Sequence, residues 1–235
     1  MSTNEDLLNV LEDAFIKYID TGARSNKKLH ILHGFISKDL EKRLGAGYRV
    51  SSLGIHDDRE ENVEGRYMDK KVDITVSKNG KVLGGIAVKY VMSNYVQNSN
   101  NYFENMLGET ANIRCSKKAY FQIFILHKHM PYFSKDGKIT KTEEIKSHHV
   151  QKYLRLSSDD PEVYMHTPSK TLFMLIEHEY SGEHILDKGR YEDFYSQKEN
   201  VKLRLSDDKY KFDDSVIYND YVSFIEKVVH YFQYL

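Results

Sequence analysis

Apolar residues recur every three or four positions at the start of the chain and every second position near its middle. Leu7, Leu8, Leu11, Phe15 and Ile19 share one helical face, which predicts a helix over about residues 5–20. After the break "TGARSN", Leu29, Leu32, Ile36 and Leu40 repeat that spacing over about 25–44, and Gly45 and Gly47 end it. "YRVSSLGI" reads as a strand, as do the runs at about 71–77 and 81–90, which a Gly-containing turn joins. The acidic stretch "HDDREENVEGRYMD" between them is expected to be an exposed, mobile loop. A helix follows at about 99–114, carrying Phe103, Met106, Leu107 and Thr110. "AYFQIFILH" is continuously apolar, the mark of a strand covered on both faces. A helix near 143–156 and the strand "TLFMLIE" come next, then a polar segment, 182–215, with no readable period. A helix over about 215–234 presents Ile217, Tyr221, Phe224, Ile225, Val228 and Val229.

From residue 25 the order is helix, three strands, helix, strand. The hairpin strands are antiparallel, and the strand after the helical crossover returns parallel. The expected fold class is therefore α/β, a mixed sheet flanked by helices with additional terminal helices. One domain is expected over 1–235, with a core at about 25–180 and residues 181–235 packing on it or at a dimer interface.

Composition narrows the setting. The net charge of −1 excludes a uniformly basic nucleic-acid coat but leaves room for a local basic patch. One cysteine excludes a disulfide framework and a Cys-rich zinc site. No apolar run is long enough to span a membrane. "MSTNED" lacks the basic-then-apolar pattern of a secretion signal, so the expected location is the cytoplasm.

Candidate chemistry concentrates in "KKVDITVSKNGKVLGGIAVKY", residues 70–90. A two-residue Asn79-Gly80 turn would put Asp73 opposite Ile86, away from Lys89. A three-residue loop, Lys78-Asn79-Gly80 with a G1 bulge, pairs Ser77 with Lys81 instead. It gathers Val72, Ile74, Val76, Val82, Ile86 and Val88 on one face and Asp73, Thr75, Ala87 and Lys89 on the other. That separation makes it the expected register, and Gly84-Gly85 leaves room for another bulge.

The polar face resembles the active site of the PD-(D/E)xK nuclease superfamily, which includes many type II restriction endonucleases. "VDITV" supplies Asp73 and "IAVK" supplies Lys89, while Ala87 stands where that pattern has an acid. The resemblance covers about residues 25–127 in element order. It implies a Mg²⁺-dependent endonuclease cutting double-stranded DNA at a specific sequence, as a homodimer. Asp73 and residue 87 would be the metal ligands, joined by the Val88 carbonyl, with Lys89 beside the attacking water. Ala87 then marks either an inactivated variant of a Glu-bearing enzyme or a naturally inactive relative. The alternatives are a nonspecific, structure-selective or defence nuclease, and a catalytically inactive DNA-binding module.

An acid from the preceding helix often completes such sites, and Asp39, ahead of Glu41, is the candidate. Asn94, Tyr95, Gln97, Asn98, Asn100 and Asn101 crowd beside the site, where carboxamides can read adenine and Tyr95 can touch the backbone. The same residues also suit a polar loop leading into a helix. His30 with His33, His127 with His129, and His148-His149 lack a third ligand in sequence and read as ordinary histidines. "EHE" at 177–179 ranks below the Asp73 pair as an acid/base site.

Overall fold

The computed structural model describes residues 2–180 and 185–235. The chain opens with helices α1 (Asn4–Thr21) and α2 (Lys27–Leu44). Strand β1 (Tyr48–Ser52) follows, then the short strands β2 (Glu61–Val63) and β3 (Lys70–Val72). Next are β4 (Ile74–Lys78), β5 (Lys81–Val91), α3 (Tyr95–Arg114) and β6 (Ala119–His127). After the hairpin β7 (His129–Phe133) and β8 (Ile139–Glu144) come α4 (Ser147–Ser157) and β9 (Thr171–His178). The chain ends with α5 (Lys188–Ser196), β10 (Leu203–Leu205), β11 (Val216–Tyr218) and α6 (Tyr221–Gln233).

Seven strands make one mixed sheet in the order β1-β4-β5-β6-β9-β10, with β11 also pairing β9. β1, β4 and β5 are antiparallel, whereas β5, β6 and β9 run parallel. This is the α/β class with a mixed sheet between helices that the order of periodic segments predicts. Alternation in β6 sorts its side chains: Phe121, Ile123 and Ile125 pack with α1, α2 and α6, while Phe124 and Leu126 pack with α3 and α4. Among the described residues no helix is long and apolar enough to cross a membrane.

Several boundaries move. α3 starts at Tyr95, so the polar run expected before residue 99 is its first turn. The helix expected from residue 143 begins at Ser147, because Ile139–Glu144 pairs back on β7. Val216–Tyr218 joins the sheet before α6 begins. Residues 182–184 of the unreadable segment lie outside the described residues; the rest holds α5 and β10.

The β4–β5 turn also differs from the expected register. Asn79 and Gly80 both take positive φ, 52° and 76°, as a two-residue primed turn requires, and Lys78 pairs Lys81. Ser77 then pairs Val82 but Val76 pairs Gly84, which leaves Leu83 as an extra, bulged residue. The bulge restores the side-chain phase, so Ile74 meets Ile86 and Asp73 falls opposite Ala87. Asp73, Ala87 and Lys89 thus share a face, by a different device. Val72 and Val82 do not join the main core; they pack near Ala87 on the polar side.

Where β6 and β9 end, the His127 and His178 rings stack with centroids 4.8 Å apart. Phe15 packs on both, and Tyr195 packs on His178. Nδ1 of each ring is shielded from solvent without a partner, and His127 Nε2 meets the Tyr90 hydroxyl at 2.9 Å. Burial holds His127 well below the ordinary imidazole range and His178 down at about 3, and the His178 ring further depresses His127. The unfolded chain binds protons that the native chain refuses, so stability is lost as pH falls below about 6.5. Chemical denaturation from pH 7 to 5 should show a loss approaching about 1.4 kcal/mol per pH unit for each histidine. His178→Phe should flatten that slope, and equal stability at pH 7 and 5 would disprove the account.

Candidate active site

Asp73 sits at the kink between β3 and β4. Its Oδ2 accepts the Val88 N–H at 2.7 Å, and its carbonyl accepts the Ser52 hydroxyl at 2.6 Å. The carboxylate therefore continues the β4–β5 ladder past the end of β4, which fixes its position. Lys89, one residue beyond Val88, is exposed on the same face as Ala87.

Ala87 is 3% exposed and lies among Val63, Val72, Ile113 and Tyr120. The β2–β3 ribbon makes the roof. Val72 rides so close that a Cβ on Gly85 would stand 2.6 Å from its Cγ1. A carboxylate at position 87 would be desolvated under that apolar cover.

The second carboxylate arrives from elsewhere. Glu60 lies immediately before β2, and the segment expected to be mobile is clamped onto α2 and β1. Gly54, at φ 78°, meets α2 backbone to backbone: a Cβ there would stand 2.1 Å from the His30 carbonyl oxygen. Gly34 makes the reciprocal contact, with a Cβ position 2.8 Å from the Gly54 carbonyl oxygen. His30 Nδ1 meets Asp58 at 2.9 Å and His56 meets Glu41 at 2.9 Å. Arg49 pairs Asp57 at 2.7 Å, and the Ser51 hydroxyl donates to Glu61 at 2.7 Å.

This clamp brings Glu60 to Asp73 and to His33 of α2. One donor atom from each of the three lies within 4.8 Å of the other two. His33 is 1% exposed, and neither ring nitrogen has a hydrogen-bond partner. Burial holds its imidazole below the ordinary range; Asp73 opposes this, while Lys89 and His30 reinforce it. Burial and the Asp73 charge push the Glu60 carboxyl up, against the pull of Lys71 and Lys89. A neutral imidazole and two carboxylates this close together are a donor set for a divalent cation, and Lys89 places positive charge beside it.

Asp39 and Glu41 stand elsewhere. Asp39 is six residues past His33, about 9 Å along the helix axis. It is buried and pairs Arg43 at 3.0 Å, with the Tyr221 hydroxyl also at 3.0 Å, so it ties α2 to α6. Glu41 accepts the Val50 N–H at 3.1 Å in addition to His56. Glu177 is taken up by Lys128, Arg204 and Ser206.

The expected base readers divide. Tyr95 is fully buried against Tyr153 and cannot touch a DNA backbone. Asn94, with φ 53°, exchanges two 2.9 Å hydrogen bonds with the Phe133 backbone, and Asn98 donates to the Asn94 carbonyl at 3.1 Å. Gln97 accepts from the Tyr132 hydroxyl at 2.6 Å, and Asn100 from Lys152 at 3.2 Å. Asn101 is exposed on α3. Asn94, Gln97 and Asn98 instead line a cavity of about 600 Å³ with Tyr132, Lys135 and Lys188.

Comparison with known proteins finds no matching family model, no matching curated protein and no matching solved structure.

Gly54→Ala tests the clamp. The left-handed backbone alone should cost about 1–3 kcal/mol, and the collision with His30 adds to it. Urea denaturation should show this loss, and amide exchange in residues 53–60 should accelerate. Unchanged stability and exchange would mean that the loop does not depend on α2.

Proposed function

We propose that this chain is a divalent-cation-dependent DNA endonuclease whose second carboxylate is Glu60 rather than residue 87. The supporting observation is the convergence of Asp73, Glu60 and His33 within 4.8 Å, with the Lys89 charge reaching both Glu60 and His33. Asp73 and Glu60 hold the cation, for which Mg²⁺ is the choice on carboxylate chemistry alone. When bound, such a cation polarises a phosphate oxygen and acidifies a coordinated water. Lys89 offsets the charge that grows on the phosphate during attack. Val88 contributes through its N–H, which holds Asp73 in place; its carbonyl has no assigned part in this reading.

Ala87 is then no lesion. The ribbon that roofs it also delivers Glu60, so the chain as it stands carries both carboxylates. A specific duplex sequence, cut by two copies of the chain, is the form of activity favoured by the resemblance to restriction enzymes. The carboxamides at the start of α3 are held in place, Asn94 by the Phe133 backbone and Gln97 by Tyr132, which supports a shaped contact surface rather than a loose polar loop. A nonspecific nuclease would share the catalytic residues and differ in what that surface meets.

A plasmid assay decides the matter. The chain as it stands should cut supercoiled DNA only with a divalent cation, and discrete bands rather than a smear would mark sequence specificity. Asp73→Asn, Glu60→Gln and Lys89→Ala should each lower the rate at least about a hundredfold, ~2.7 kcal/mol of transition-state stabilisation. DNA affinity should persist in these variants and weaken steeply with salt, through counterion release. A folded chain that binds DNA but cuts none with Mg²⁺ or Mn²⁺ would be the inactive binding module. One that does neither has another function.

A further inference from the structure

We propose that His33, Glu60 and Asp73 form a mixed nitrogen–oxygen metal site that takes a first-row transition ion, Mn²⁺ or its neighbours, in preference to Mg²⁺. The inference concerns the site of the nuclease reading, but it is a statement about binding and holds whether or not DNA is cut.

Two observations carry it. The first is the donor set: one imidazole and two carboxylates, brought within 4.8 Å from three separate elements. The second is the state of His33. It is 1% exposed, yet neither ring nitrogen is hydrogen-bonded, although buried polar groups almost always find a partner. Leu32 and Ile36 beside it meet the packing needs of that face of α2, and they belong to the main core. An apolar side chain would fill the position of His33 without leaving two polar atoms unanswered. A metal ligand explains both the residue type and the missing partner.

The choice of ion follows from the donors. Mg²⁺ favours hard oxygen ligands and gives up its waters reluctantly. Imidazole suits the transition ions, and Mn²⁺ accepts carboxylates equally well. One nitrogen donor therefore discriminates against Mg²⁺ where two carboxylates alone would not. Three protein donors also leave coordination positions free for water and for a phosphate oxygen. Because the donors come from α2, the clamped loop and the β3–β4 kink, a bound ion fastens all three together and should raise the melting temperature.

The test uses the full chain without DNA. Titration calorimetry should find one Mn²⁺ per chain, bound at least tenfold more tightly than Mg²⁺, with Co²⁺ tighter still. Pulsed electron paramagnetic resonance of the bound Mn²⁺ should show coupling to an imidazole ¹⁴N. In His33→Asn that coupling should vanish and the Mn²⁺ preference fall towards one. Glu60→Gln should weaken both ions, and His30→Gln should keep the ¹⁴N signal. If His33→Asn does not fold, the wild-type and His30→Gln spectra decide the question. Equal affinities for Mn²⁺ and Mg²⁺, no bound metal, or bound Mn²⁺ without nitrogen coupling would overturn the proposal. Failure of the nuclease reading is distinct: the ¹⁴N-coupled ion would be present and plasmid would stay intact. The reverse result, cleavage with Mg²⁺ and no nitrogen coupling, would sink the metal proposal alone.

Discussion

Two glycines set the geometry of the site. Gly34 and Gly54 let a helix and a loop meet backbone to backbone, closer than any side chain allows. That approach anchors the loop that leads to Glu60. It fixes the loop after β1, orients the ribbon that follows, covers Ala87 and sets Glu60 beside Asp73. The ion pairs around it, His30 with Asp58 and Arg49 with Asp57, are partly exposed and each contributes little. Their value lies in direction, since they hold a charged segment on a surface it would otherwise leave.

The contrast between residues 60 and 87 shows how position can matter more than sequence pattern. Ala87 occupies the place in the strand where a carboxylate is expected, but its surroundings are Val63, Val72, Ile113 and Tyr120. Glu60 stands in a loop with no strand pattern, yet it is half-buried and close enough to Asp73 for the two charges to resist each other. Burial and like charge raise the cost of ionising Glu60, and the nearby lysines lower it. The repulsion between the two carboxyl groups is one that a bound cation would relieve.

Much of the frame was legible because hydrophobic periodicity reports burial directly. The strands of β5, β6 and β9 and the first two helices follow from it. So does the shared face of Asp73, Ala87 and Lys89, although the hairpin reached it by a bulge at Leu83 instead of a longer turn. What escaped had a physical reason in each case. Glu60 was hidden in a run of acids, whose ordinary meaning is solvent exposure; the packing of Gly54 on Gly34 is a contact between distant residues and leaves no local pattern. His33 read as an ordinary histidine because its neighbours in space come from two later segments. The start of α3 was misplaced because Asn and Gln at a helix start look like a loop. Tyr95 looked polar by its hydroxyl, yet its ring fills the space above Phe124. The short strands β10 and β11 have three residues each, too few to show a period.

Those two short strands share the outer edge of β9, one antiparallel along its last residues and one parallel along its first. Until they are in place, β9 offers a strongly apolar strand with open backbone groups to any chain nearby. The helix that follows them also reaches back to the beginning: the Tyr221 N–H donates to Asn4 at 2.8 Å, across 217 residues. On the ribosome, then, α1 and the edge of β9 both wait for the C-terminal segment to emerge. Such long-range closure slows folding, so in the cell the interval between making β9 and making α6 is when the growing chain most needs protection from aggregation.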